Sequence, residues 1–434
     1  MIPNILSNQT ISTIYSTLGN NSSKVPLAIK DIANSCGLTA ASYLSGDKAE
    51  GKDRFIDEFG TQAIWLWGIP AYKTILDFIM YKPAKIDPKV DVRIFKNPEI
   101  VKAAKEFAPT KEILKSLEYA AEHQKLAKGL TIAKFAASTV LTAATYLGLT
   151  KFRHNYTEKQ IQKDYFEKQS LRNSLKSSQV PFSAAFADVH PNKKKDNNVT
   201  FTGGLQNFIY DPVKNLMIVD ASITGERLTH AKNPQDFFGY VIKEGSFWAF
   251  MYFAQDWIAS AFERNADKKG TSIDLDARVI FGKDLKKSFK DGSIKKHIEA
   301  FKAADVSDAE IYRFAVKPDN KNLVIDFAKK SDIIELLKGS EKVDTRRYID
   351  LKKLRGVSEK LEKLINQYEK SGKTADEFFH AVRKLKKGAV LKNIGACIGA
   401  LGILAPGIML LTRKFSDNSD YQVRKDIEKK LAQQ

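Results

Sequence analysis

Two charged side chains interrupt stretches that are otherwise apolar and aromatic. Lys73 lies within Gly60 to Met80 (GTQAIWLWGIPAYKTILDFIM), and Asp256 lies within Lys243 to Glu263 (KEGSFWAFMYFAQDWIASAFE). Aligning the two stretches sets Trp65 over Trp248 and Lys73 over Asp256. A charge in an apolar segment is costly and usually faces a partner or a water-filled cavity. Opposite charges at matched positions could meet across the axis relating two copies, and would then form part of an ion or proton path. The plainer alternative places both near helix ends, with Lys73 paired to Asp77 one turn on.

A second constellation recurs. Asp91-Val92-Arg93 and Asp276-Ala277-Arg278 each put an acid and a base two residues apart. On an extended piece such residues point the same way. They are expected to clamp an adjoining helix or the other copy through ion pairs, a structural role more than a ligand site.

Other patterns carry less. Ser371-Gly372-Lys373-Thr374 contains a GKT, but a phosphate loop needs a glycine where Gln367 stands. Ser45 with Lys48, and Ser293 with Lys296, match SxxK without a supporting partner motif. The six histidines, His123, His154, His190, His230, His297 and His380, are scattered. Cys36 and Cys397 offer no metal-ligand spacing and no disulfide framework. No catalytic residue, metal ligand or cofactor is expected.

The elements that carry these residues are mainly helical. Residues 1–25 are rich in Ser, Asn and Thr and read as a flexible N-terminus without signal-peptide character. A first unit, 26–176, holds apolar segments at about 60–81 and 129–150. It also holds an alternating piece at Ile86–Phe95 that reads as a strand or extended arm. Two helices follow, split at Pro109, with Thr110 as a cap. Residues 177–206 combine Pro, Asn, a lysine run and Gly203-Gly204, and read as a linker. A second unit, 207–415, holds apolar segments at about 245–262 and 389–412. Its longer polar region carries an insert placed within 283–345, with a strand-like piece at Leu323–Phe327. Val357, Leu361, Leu364, Ile365 and Tyr368 share one helical face. The tail, 416–434, reads as a charged helix.

The order of features repeats between the units: aromatic segment, Asp-x-Arg, charged helices, Lys-Gly, then a small-residue segment opened by Lys128-Gly129 or Lys387-Gly388. The expected fold is therefore mainly α and internally duplicated. It has about four apolar helices in a membrane and a polar α-rich domain with minor β. A span needs about 20 apolar residues. Asn393 to Thr412 meets this without a charge, and its Gly395 and Gly399 stand at the spacing that lets helices approach closely in lipid. Gly129 to Thr150 holds only Lys134, which can snorkel. Segments 60–81 and 245–262 are shorter and aromatic, suited to spanning or to the interface. Paired spans place loops 82–127 and 264–386 on one side, with a slight excess of basic residues that favours the cytoplasm.

The 434 residues carry a formal charge of +19. Such a charge attracts polyanions, and anionic lipid headgroups are the expected partner. The lysines are spread along the chain where a nucleic-acid module would concentrate them, so nucleic acid is not the expected partner. Three functions fit these features. The first is a non-enzymatic membrane scaffold, anchor or partner-binding module, with a protein partner or a second copy. The second is a small oligomeric transporter or channel of two pseudo-symmetric helix pairs. The third is a soluble helical polyanion binder.

Overall fold

The computed structural model describes residues 8–19, 24–45, 48–173, 209–229 and 244–408, together with Phe237, Val241, Leu410 and Lys429. The linker expected at 177–206 and the tail helix expected at 416–434 lie outside these residues, Lys429 excepted. Helix dominates, and among the described residues there is no strand, only an isolated bridge between Leu336 and Val343.

The N-terminal half runs through α1 (Asn8–Gly19), α2 (Lys24–Ser45), α3 (Lys48–Ala63) and α4 (Ile69–Leu76). Two π-helical turns, Ile64–Gly68 and Asp77–Tyr81, flank α4 within the first aromatic segment. Then come α5 (Pro98–Glu106), α6 (Lys111–Glu122) and α7 (Gln124–Asn173). Beyond α8 (Pro212–Thr229), another π turn, Ala249–Phe253, leads into α9 (Ala254–Lys268). Short helices follow: α10 (Ala277–Phe281), α11 (Lys283–Lys290), α12 (Ser293–Ala304), α13 (Asp308–Val316) and α14 (Leu323–Lys330). Two long ones close the series, α15 (Leu351–Ser371) and α16 (Ala375–Gly399), the latter running into a π turn at Ala400–Leu404.

The chain forms two compact units. The first draws on Met1–Leu27, Ala71–Ser138 and Tyr252–Cys397. Its polar part is an ordinary globular core: Leu117, Leu285, Ile311, Val324, Leu354, Leu361 and Val382 are all fully buried. Here α5 packs on α13, α12 on α14 and α15, and α14 on α15. The N-terminal polar stretch is not all loose, since α1 packs on α10 with Tyr15 stacked on Phe281 at 5.5 Å.

Local chemistry starts these helices. Thr110 Oγ1 accepts from Ile113 N at 3.3 Å, Ser307 Oγ from Glu310 N at 3.2 Å, and Asp350 Oδ1 from Lys353 N at 3.1 Å. Each satisfies an amide that a helix start leaves without an intrahelical acceptor. Caps also decide two pieces expected to be extended: the end of Ile86–Phe95, read as a strand or extended arm, is helical from Val92, and Leu323–Phe327 is helical throughout. Asp91 caps a 3-10 turn over Val92–Lys96, and Asn322 Oδ1 accepts from Val324 N at 2.9 Å to start α14. A four- or five-residue apolar run does not separate strand from buried helix. The cap decides it.

The second unit draws on Ala28–Pro70, Thr139–Met251 and Ile398–Gln434. Its packing is mixed: Leu38, Ile69, Leu216 and Leu401 are buried, yet other large apolar side chains stand exposed and several polar ones are covered. Val140, Leu147, Phe152, Trp67, Ile403 and Leu404 are exposed, whereas Lys30, Ser35, Ser42 and Thr142 are fully buried. Among the described residues two helical runs are long and apolar enough to cross a membrane, Gln124–Glu167 and Ala375–Ile408. Segments 60–81 and 245–262 are helical but are not among them, so two such helices stand where about four were expected.

Candidate functional site

The Asp-x-Arg pairs form turns with shared geometry. Asp91 Oδ1 accepts from the backbone N–H of Arg93 at 3.0 Å, and the same carboxylate holds the guanidinium at 2.6–3.1 Å. Asp276 accepts from Arg278 N at 2.7 Å and from its guanidinium at 3.2 and 3.3 Å. The acid is a helix cap and a counter-ion at once, so the main bonds of each pair lie within its own turn. Outward contacts complete it: Arg278 Nη2 reaches Asp332 at 2.6 Å, and Arg93 lies over the Tyr348 ring at 4.5 Å.

A third such turn was not read from the sequence. Asp344 accepts from Arg346 N at 3.2 Å and from its guanidinium at 2.8 and 2.7 Å. Arg346 also meets Asp87 at 2.7 Å. Hydrogen bonds to Asp344, then to Asp87, push the pKa of Arg346 above its ordinary value. In all three turns the residue six positions after the acid is the N-cap of the next helix: Asn97, Gly282 and Asp350. The signal was visible as Asp344-Thr345-Arg346, straddling the end of the region taken for an insert.

The intrasegment charges are placed differently. Lys73 is half-buried and feels Lys24, Lys134 and Asp77, while Asp256 is exposed on α9. The two are not brought together as an ion pair. Asp77 meets Lys134 of α7 at 2.5 Å, tying the first apolar segment to the second. Close helix approach also falls elsewhere than expected. A Cβ on Gly395 or Gly399 would meet nothing within 4 Å of it. One on Gly37 would stand 2.3 Å from Gly402 O, and one on Gly402 would stand 3.1 Å from Ala33 O.

Ser371 to Thr374 is a chain reversal. Gly372 takes φ +62° to end α15, and Thr374 forms a reciprocal cap with Glu377, at 3.0 Å and 3.3 Å. Cys397 is buried and Cys36 exposed. Among the described residues no group of three His, Cys, Asp or Glu side chains is placed to hold a metal ion.

The densest buried chemistry lies within the second unit, on a helix that the sequence reading passed over. Lys30 and Asp31 are neighbours on α2, with exposures of 0% and 7%. Lys30 Nζ donates to Met251 O at 2.6 Å, a carbonyl within the π turn of the third apolar segment. Trp65, in the π turn of the first, donates its indole N–H to Asp31 Oδ2 at 2.8 Å. Gln62 Nε2 donates to Ser35 Oγ at 2.6 Å and also bonds Asp31. π turns disturb the regular ladder and often accompany functional sites. Here two of them supply a donor and an acceptor to two adjacent ionisable side chains. Helix α2 lies outside the two long apolar runs. Burial drives the Asp31 pKa up to about 8. The Trp65 and Gln62 bonds oppose the rise, and like charges on Asp220 and Glu58 add to it.

A comparison with protein-family models, curated proteins and solved structures finds no match to this chain. The site is therefore read from its own chemistry. A correspondence between α2 and α8 stands out. Leu27, Ile29, Asp31 and Ser35 share their spacing with Leu216, Ile218, Asp220 and Thr224. The tryptophans that the aromatic alignment matched bond to these two helices at positions one turn apart, Asp31 and the counterpart of Ser35. Trp65 donates to Asp31, and Trp248 Nε1 donates to Thr224 Oγ1 at 3.2 Å. Thr224 in turn donates to Glu244 Oε2 at 3.2 Å.

Proposed function

We propose that the chain is a non-enzymatic membrane protein that holds a basic helical domain at an anionic bilayer surface, as an anchor or scaffold for an acidic partner. One observation carries this reading. Only 17% of the most apolar window of Gln124–Glu167, and 33% of that of Ala375–Ile408, is buried. The core helix of a soluble protein would be mostly covered. Large apolar side chains turned outward with polar ones turned inward suit a hydrocarbon solvent and cost free energy in water. The excess of lysine supports attraction to anionic headgroups.

The recurring order of segments, the three Asp-x-Arg turns and the α2–α8 correspondence support an ancestral duplication. They also support an extra Asp-x-Arg turn and helix pair in the second half. A second reading, a small oligomeric transporter, is favoured by the buried Lys30–Asp31 pair, because charges inside a membrane protein usually serve a path.

Alkaline carbonate washing of membranes containing the full chain tests the first reading. The chain is expected in the pellet until detergent is added, with 264–386 open to protease from one side only. Release by carbonate or by high salt would refute insertion and favour a soluble polyanion binder.

A further inference from the structure

We propose that the turn Lys82–Lys85, at the foot of the first aromatic segment, binds the phosphate of an anionic phospholipid whose chains run along Phe78 and Ile79. The proposal rests on the membrane reading above and names a lipid contact within the first unit. Side-chain bonds set this turn beside a helix long and apolar enough to cross a bilayer. Lys134 of α7 holds Asp77 at 2.5 Å, and the Tyr81 hydroxyl donates to Thr131 Oγ1 at 3.2 Å. Gln124–Glu167 is one of the two runs that could cross. Thr131 and Lys134 lie within three turns of its start, so segment and helix meet at the end that follows α6 and its buried Leu117. Phe78 is 65% exposed and Ile79 60%, too open for a covered core.

The charge beside them is one-sided. Asp77, Asp87 and Asp91 are the only acids from Ile64 to Lys96. Each is committed: to Lys134, to Arg346 at 2.7 Å and to Arg93 at 2.6 Å. Lys82 and Lys85 are exposed, and among the described residues neither forms an ion pair. Lys82 Nζ lies 4.5 Å from the centre of the Phe78 ring, so cation and apolar surface share one spot. The turn is anchored from below: Ile86 is buried, and its amide donates to Tyr81 O at 3.3 Å. Lys85 takes φ +55°, the left-handed backbone in which glycine usually ends a helix. A lysine kept there stores strain, and such strain gathers at ligand sites. A phosphodiester on the two cations, with hydrocarbon on Phe78 and Ile79, satisfies both parts of the surface. A zwitterionic lipid brings the same chains but adds a cation that the lysines repel. An acidic protein would match the lysines and not the large apolar side chains beside a crossing helix.

The test uses the full chain reconstituted in phosphatidylcholine bilayers that carry a trace of spin-labelled phosphatidylglycerol or spin-labelled phosphatidylcholine. The motionally restricted part of the signal reports lipid held against the protein. The phosphatidylglycerol label is expected to be preferred, by on the order of fivefold for each lysine in contact. Lys82→Gln with Lys85→Gln should remove most of that preference, and Lys82→Arg should keep it. Lys317→Gln with Lys338→Gln, an equal loss of charge at exposed positions of the polar core, should leave it unchanged. Lys85→Gly relieves the backbone, so it should melt higher while losing its share of the preference, which separates loss of the site from misfolding. Equal restriction of both labels by wild type, a preference that survives Lys82→Gln with Lys85→Gln, or an equal fall in the polar-core variant would overturn the proposal. Carbonate treatment of the same bilayers separates the failures. A chain that stays but shows no preference sinks only the phosphate site, and a chain that is stripped off sinks the membrane reading with it.

Discussion

The backbone amide of Asp91 donates to the carbonyl of Arg346 across 2.8 Å. One Asp-x-Arg turn is thereby fastened to another, and the loop after the first aromatic segment becomes part of the polar core. The Asp87–Arg346 ion pair at 2.7 Å and the stacking of Arg93 on Tyr348 lie at the same seam.

Asp344 is the member whose loss should be felt most at this seam. Asp344→Ala removes the acceptor of the Arg346 amide and two charge-assisted contacts on a partly buried guanidinium. A cost of about 1–3 kcal/mol is expected. Asp344→Asn keeps an acceptor for the Arg346 amide and should cost less. Urea unfolding followed by circular dichroism measures both. Equal stability of Asp344→Ala and wild type would show that the turn is not structural.

Gly37 and Gly402 stand where two helices approach closely within the second unit. A methyl at Gly37 would overlap Gly402 O at 2.3 Å and Pro406 at 2.7 Å, and the helices would have to part. Gly37→Ala is expected to lose about 1–3 kcal/mol by overpacking. Gly395→Ala meets open space and should gain about 0.5–1 kcal/mol from reduced chain entropy. Thermal melts of the two variants in the same detergent should therefore move in opposite directions.

Much of the polar fold was legible. Pro109-Thr110 announced a helix start, and Val357, Leu361, Leu364 and Ile365 announced the buried face of α15. Asp91 and Asp276 drew attention because they recur. Asp344 did not, since it fell in a stretch set aside as extra length. The Lys30–Asp31 pair was illegible for a different reason. Two adjacent opposite charges in a helical stretch carry no mark of burial in the sequence. Their partners are Trp65 and Met251, residues distant in sequence that packing alone assembles. Lys73 and Asp256 illustrate the converse: matched positions in an alignment need not meet in space.

The Trp65–Asp31 bond should matter more than the matched Trp248–Thr224 bond. Trp65→Phe leaves a buried carboxyl without one of its donors, at a cost of about 1–3 kcal/mol. Trp248→Phe leaves Thr224 still bonded to Glu244 and should cost less. A comparison of the two melting temperatures decides the point, and the reverse order would mean that Asp31 does not depend on the indole.

Stability should fall as pH rises, because of Asp31. Its carboxyl titrates near 3.8 in the unfolded chain and at about 8 when folded. Between those values the folded state holds a proton that the unfolded state has released. The native state binds more protons, so raising the pH favours unfolding. The contribution is whole below the unfolded value and is lost as pH passes through the folded one. Melting temperatures of wild type and Asp31→Asn, taken from about pH 5 to about pH 9, should converge on the acid side and separate on the alkaline side, with the variant less sensitive. Parallel curves would show that Asp31 is ionised throughout, and a buried charge of that kind would need a cation held against it.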